Sequence, residues 1–313
     1  GVAPYHYWDF INNRALFAQA DVGGVTSTPG WSFTRASAAE AQDAAGNFVQ
    51  FASGELRRTD KGILIEGART NLFLNSLVGV TQAITVAAVA YTLSFYGTGT
   101  ITLSGVSTAG PLVGTGANNR VTLTFTPTAG ALTCTVTGSC TRVQLETGAF
   151  ASSHILTAGA SATRAADVLT VSSPGVNYPL GLYAEFERVV DTGNYENTLG
   201  VDNGTNSNRT LLFLDTSDKV AASARTATVE QLNIPVTGAV AIGAATKSAI
   251  RMDTNNAIVA RGGTLSALDN TVTLPLNPTR VTFSPSQELF GYLRRTAIFN
   301  FAPSDAQLTA MTT

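Results

Sequence analysis

Short runs in which apolar and polar residues alternate, each cut off by glycine, constrain this chain more than any other feature. In the run 120–126, Val121, Leu123 and Phe125 fall on one side of an extended backbone, with Thr122, Thr124 and Thr126 on the other. A period of two belongs to half-buried strands, because successive strand side chains point to opposite faces. The same alternation covers residues 83–90, 91–96, 100–103, 132–137 and 141–146. Glycines such as Gly97, Gly105, Gly116, Gly130 and Gly138 separate these runs. Short strands at this spacing predict a sandwich or jelly roll over residues 71–165. Thr is about one residue in seven, which favours strands over helices.

A second, larger sandwich is expected over residues 166–313. Strands are read at 166–171, 182–190, 198–201, 210–215, 220–225, 239–242, 247–252, 280–283 and 289–300. The chain closes on a short helix, where Ser304 and Gln307 have capping-box spacing and Pro303 precedes the cap. Residues 1–70 read as an irregular N-terminal segment. Within it, a short helix over 9–20 is capped by Asp9, residues 31–35 are extended, and 61–67 hold a buried strand. The expected fold class is all-β: two antiparallel β-sandwich domains after that segment, with a short C-terminal helix. No repeat of 20–50 residues supports a propeller or β-helix.

Composition excludes several classes. The 313 residues carry a net charge of -2 and only 13% charged side chains, with no Lys/Arg block to track phosphates, so no nucleic-acid partner is expected. The longest apolar stretch, 83–95, is interrupted by Thr85 and Thr92. It falls short of the roughly 20 residues a membrane helix needs, so no membrane insertion is expected. His6 and His154 are the only histidines, and Cys134 and Cys140 the only cysteines. Neither a metal site nor a disulfide scaffold is implied, and no cofactor is expected. No basic segment precedes an apolar core, so no signal peptide is expected, and a start at Gly1 suits a processed chain or a piece of a longer one.

Several runs resemble structural proteins of tailed phages and prophages. They are 62–72 (GILIEGARTNL), 91–104 (YTLSFYGTGTITLS), and the set Gln144–Gly148, Ser153–Thr157 and Thr163–Asp167. Together they are similar to tail-fibre or receptor-binding proteins with a carbohydrate-binding-module-like jelly roll. Gly291–Arg295, Phe299 and the closing helix resemble a concanavalin A or laminin-G-like sandwich, with Phe33–Ser37 and Asp43–Gly46 as its lead-in. Cys134, Cys140 and His154 stand where that pattern has apolar, small or aromatic residues. The resemblance implies a virion appendage assembled in the bacterial host cytoplasm. Its partners would be bacterial cell-surface polysaccharide and, through the N-terminal segment, other virion proteins. It also implies a homo-oligomer, commonly a trimer. A purely structural virion part and a glycan depolymerase are the alternatives.

Sugar rings stack on exposed aromatics, and amides satisfy hydroxyls by donating and accepting. The candidates of those types are Trp31, Tyr195, Asn197, Asp202, Asn206 and Asn208. Trp31 and Trp8 also read as buried anchors, and the Asp202–Asn208 loop as a solvated hairpin connection. Calcium in that loop would have a single carboxylate, too little charge for a tight site. Glu185 and Glu187 fall on one side of a strand, a spacing that paired glycosidase carboxylates can use. They also read as surface glutamates, or as partners of Arg188 and the Arg294–Arg295 pair. No catalytic residue is assigned. His6 and His154 read as packed or hydrogen-bonded histidines. Glu66 with Arg69, and Arg164 with Asp167, mark region boundaries. Cys134 and Cys140 flank a turn and would face each other across a three-residue hairpin, whereas a reducing cytoplasm favours free thiols.

Overall fold

The computed structural model describes residues 3–284 and 289–313. The chain divides into two units. One comprises Gly1–Thr34, Arg58–Gly67 and Asp167–Thr313, and the other Arg35–Arg57 and Ala68–Ala166. Residues 1–70, expected to form a segment of their own, are therefore shared between the two. The reason is pairing: Gly62–Ile65, whose four residues are all buried, adds to the strand Gly291–Phe299.

The first unit is a two-sheet antiparallel sandwich. Its ten-stranded sheet runs Thr264–Leu265, Asn256–Arg261, Ala245–Asp253, Leu180–Arg188, Gly291–Phe299, His6–Asp9, Arg14–Phe17, Ala20–Gly23, with Gly62–Ile65 and Arg58–Thr59 on a branch from Gly291–Phe299. Its seven-stranded sheet runs Val229–Pro235, Val220–Thr226, Arg209–Leu214, Glu196–Asp202, Arg280–Phe283, Val168–Ser172, Trp31–Thr34. Alternation sorts the facing side chains. Leu182, Ala184, Phe186 and Ile250 come from one sheet, and Leu199, Val201, Leu212 and Leu214 from the other, all fully buried. Each of these Leu, Ile, Val and Phe side chains removed from water is worth about 1.5–3 kcal/mol. Trp8 crosses the layer to meet Phe283 edge-on at 5.2 Å, and its indole N–H donates to Thr28 Oγ1 at 3.0 Å.

The helix expected over 9–20 is instead a hairpin, His6–Asp9 with Arg14–Phe17. Asp9 does cap, but it caps a turn: its Oδ1 accepts the Asn12 amide at 3.0 Å, and Asn13 takes a positive φ of 53°. The closing helix Asp305–Thr312 is as expected, with both hydrogen bonds of the Ser304–Gln307 capping box formed. It sets Leu308 on the outer face of the ten-stranded sheet, over Ala249, Ile258 and Ala260.

The second unit packs a four-stranded sheet, Gln82–Val86, Gly130–Thr137, Thr100–Gly105, Leu112–Val113, against a three-stranded one, Gly116–Phe125, Tyr91–Gly97, Cys140–Thr147. Phe73, Leu93, Phe95, Ile101, Leu132 and Leu145 lie in the core between them. Two short pairs complete it, Arg69–Asn71 with Ala162–Arg164 and Ala39–Gln42 with Phe48–Phe51. Cys134 and Cys140 do not face each other across a hairpin. Their strands pair into different sheets, Cys134 beside Leu103 and Cys140 beside Gly97, and both are buried free thiols.

Candidate functional site

In the first unit, the outer face of the seven-stranded sheet sets an apolar cluster beside polar side chains. Strand Arg209–Leu214 is apolar on both sides: Leu212 and Leu214 enter the core, while Leu211 and Phe213 point outward. Leu211, Phe213 and Ala221 nevertheless form a buried apolar cluster on that outer face. Tyr195 leans on it edge-to-face, 5.7 Å from Phe213, and is 41% exposed.

Two neighbouring cavities open on this face. One of about 250 Å³ is bordered by Tyr195, Asn197, Phe213, Ser223 and Asn233. The other, of about 230 Å³, is bordered by Asp202, Asn206, Arg280, Thr282 and Ser284. Arg209 and Leu211 border both. Thr282 Oγ1 is buried there with no hydrogen-bond partner. The Ser223 hydroxyl donates to Glu230, whose other oxygen accepts from Arg225 Nε at 2.7 Å.

The six sequence candidates separate. Tyr195 and Asn197 meet in the first cavity, and Asp202 and Asn206 in the second. Asp202 is held by Arg280, which donates from Nε and Nη2 at 2.9 and 3.1 Å, and it also caps the Gly204 amide. Asn208 is a loop clamp whose Oδ1 accepts the Ala227 and Leu276 amides, both at 3.4 Å. Trp31 lies away from the cavities, among Phe10 and Phe283 at 6.5 and 6.1 Å. Arg209, Leu211, Phe213, Ser223 and Asn233 were not singled out from sequence. The available signal was a strand apolar on both faces in a two-layer fold, where one face has no second layer to cover it.

No known family and no curated protein matches this sequence. Solved structures similar to parts of it include the CBM40 module of a Ruminococcus gnavus IT-sialidase, with TM-score 0.36, 17% identity, and 43% of this chain and 82% of that one covered. The NanB sialidase of Streptococcus pneumoniae aligns at TM-score 0.37 and 14% identity over 46% of this chain and 26% of that one. A heptameric SAP-like pentraxin of Limulus polyphemus aligns at TM-score 0.34 and 10% identity, covering 46% and 81%.

Elsewhere, two constellations of catalytic residue types have structural explanations. On the outer face of the ten-stranded sheet, Glu185 receives Arg295 Nη1 at 2.9 Å and Glu187 receives Arg294 Nη1 at 3.2 Å. Lys61 reaches Glu187 at 2.8 Å. Arg188 is not a partner of these glutamates; it is buried with Glu196 at 2.9 Å and Asp218 at 2.8 Å. Burial pushes the Glu196 carboxyl upward against the pull of that guanidinium.

In the second unit, His154 lies between Glu40 and Ser76: Nδ1 is 2.7 Å from Glu40 Oε2, and Nε2 is 3.0 Å from Ser76 Oγ. Nucleophile, base and orienting carboxylate stand in the order of a serine triad. All three are buried, and Ser76 Oγ already accepts the Thr157 amide at 2.9 Å. A cavity of about 210 Å³ borders Glu40 but neither Ser76 nor His154. The relay is a latch joining three segments. Burial raises the Glu40 carboxyl, but His154 and Arg142 outweigh it and hold the group low.

Proposed function

We propose that this chain is a non-catalytic glycan-binding component of a phage tail fibre or related virion appendage, directed at bacterial surface polysaccharide. The observation that carries the glycan reading is the open sheet face, where a half-exposed Tyr195 and an apolar floor sit beside Asn197, Asn233 and the unpaired Thr282 hydroxyl. Sugar rings offer apolar faces to such a floor and hydroxyls to such a rim. The phage assignment rests on the resemblance of runs 62–72, 91–104 and 144–167. The non-catalytic reading is supported by the ion pairs that occupy Glu185 and Glu187. Single shallow sites bind weakly, and repetition in a trimeric appendage would raise avidity through effective concentration. An attachment role for the N-terminal segment would fall to Ala20–Gly23, the edge strand of its sheet.

The test is adsorption of purified protein to host cells, blocked by free polysaccharide. Replacing Tyr195 by Ala should weaken adsorption about tenfold or more and leave the melting temperature unchanged. Absence of any adsorption would indicate a purely structural virion part, and polymer shortening during the assay would indicate a depolymerase.

A further inference from the structure

Sheet register sets one residue from each of five adjacent strands in a row across the candidate face. The order is Arg280, Asp202, Arg209, Arg225, Glu230. The row holds three guanidinium groups and two carboxylates. Both carboxylates are taken: Asp202 by Arg280 in a two-point pair, and Glu230 by Arg225. Arg209, in the middle of the row, is in no ion pair among the described residues. Its Nη1 donates to the exposed amide oxygen of Asn206 at 3.2 Å, and its Nε has no acceptor.

Position and electrostatics agree. Arg209 borders both cavities, so it is the one charged group that ligands in either would meet. Burial and the like charge of Arg225 disfavour its cationic form, pulling its pKa down despite Glu230 and Asp202. A guanidinium without a counter-ion in a half-buried groove is stabilised by an anion that supplies charge and acceptors together.

We propose that the glycan bound on this face is acidic, and that its carboxylate or sulfate group docks on Arg209. This rests on the glycan-binding reading above and specifies its ligand. The sugar ring carrying the acid then lies over Leu211, and the Thr282 hydroxyl meets a ring hydroxyl. Selectivity comes from the row itself, because its other two cations are already neutralised.

The experiment is a printed panel in which each uronic acid or sulfated oligosaccharide is paired with its carboxyl-reduced or desulfated form. The intact protein is expected to hold acidic members at least about tenfold more tightly than their neutral partners. R209Q, which keeps donors but removes the charge, should bind both forms alike at the neutral level. Loss on carboxyl reduction identifies a carboxylate, and loss on desulfation a sulfate. Equal binding of acidic and neutral partners by the unaltered protein overturns the proposal and leaves glycan binding standing. So does an acid preference that survives in R209Q. Binding to no member of the panel overturns the glycan reading and this proposal with it. If R209Q does not fold, the comparison on the unaltered protein still decides.

Discussion

Glu185 and Arg295 are cross-strand neighbours in the ten-stranded sheet, and the Arg295 guanidinium donates to Glu185 at 2.9 Å. The pair is one link in a chain of alternating charge: Lys61, Glu187, Arg294, Glu185, Arg295 and Asp9. Like charges two apart on a strand would repel. Here Glu187 and Glu185 are each shared between two cations, and the ladder fastens strand Leu180–Arg188 to Gly291–Phe299.

Glu185→Gln should therefore act on stability. It leaves Arg295 with Asp9 as its remaining acid and Arg294 with Glu187. The expected cost is about 1–2 kcal/mol, seen as a lower urea midpoint at neutral pH. Glycan binding should not change, because Glu185 is on the other sheet. A binding loss with an unchanged midpoint would count against this role.

His6 makes stability depend on pH. Its Nε2 donates to the Pro174 carbonyl at 2.7 Å and its Nδ1 accepts the Ala18 amide at 3.2 Å, so the folded protein uses the neutral ring. Burial lowers its pKa from 6.5 to about 4, against a smaller opposing effect of the Pro174 bond. Below pH 6.5 the unfolded chain takes up a proton that the folded one refuses. The contribution is complete above that pH, declines as pH falls, and is gone below about 4, a change of up to about 3 kcal/mol. Urea midpoints measured between pH 7 and 4 should fall more steeply for the unaltered protein than for His6→Gln. Parallel curves would refute it.

The Ser76–His154–Glu40 relay predicts a stability phenotype without a chemical one. His154→Ala leaves the Glu40 carboxylate and Ser76 hydroxyl buried without their shared partner, at a cost of about 2–4 kcal/mol. Proteolysis within residues 35–57 or 68–166 should accelerate accordingly. Activated-ester substrates should be hydrolysed no faster than by Ser76→Ala. A serine-dependent burst of product would reverse the assignment.

Cys134 is fully buried, and burial pushes its thiol up to about 12. Thiolate, not thiol, is the attacking species. The native protein should leave Cys134 unlabelled by a water-soluble thiol reagent over hours, with labelling appearing only as urea unfolds the chain. Labelling at the native rate of an exposed cysteine would show that the core opens freely.

Alternation, glycine punctuation and the Ser304–Gln307 spacing were enough to predict an all-β chain with one closing helix. Those signals act within a few residues, where backbone geometry alone decides the outcome. Tertiary structure decided the rest. Asp9 and Asn12 could begin a helix or close a turn, and pairing of His6–Asp9 with Gly291–Phe299 selected the turn. Cys134 and Cys140 are close in sequence, yet their strands found partners in different sheets. Leu211 and Leu212 are both apolar and both buried, and only the second sheet determines which of them enters the core between the sheets. Arg209 stands between Asp202 and Arg225 because hydrogen-bond register brings three strands alongside one another. No local pattern encodes that alignment, since each strand pairs according to the whole core it helps to bury.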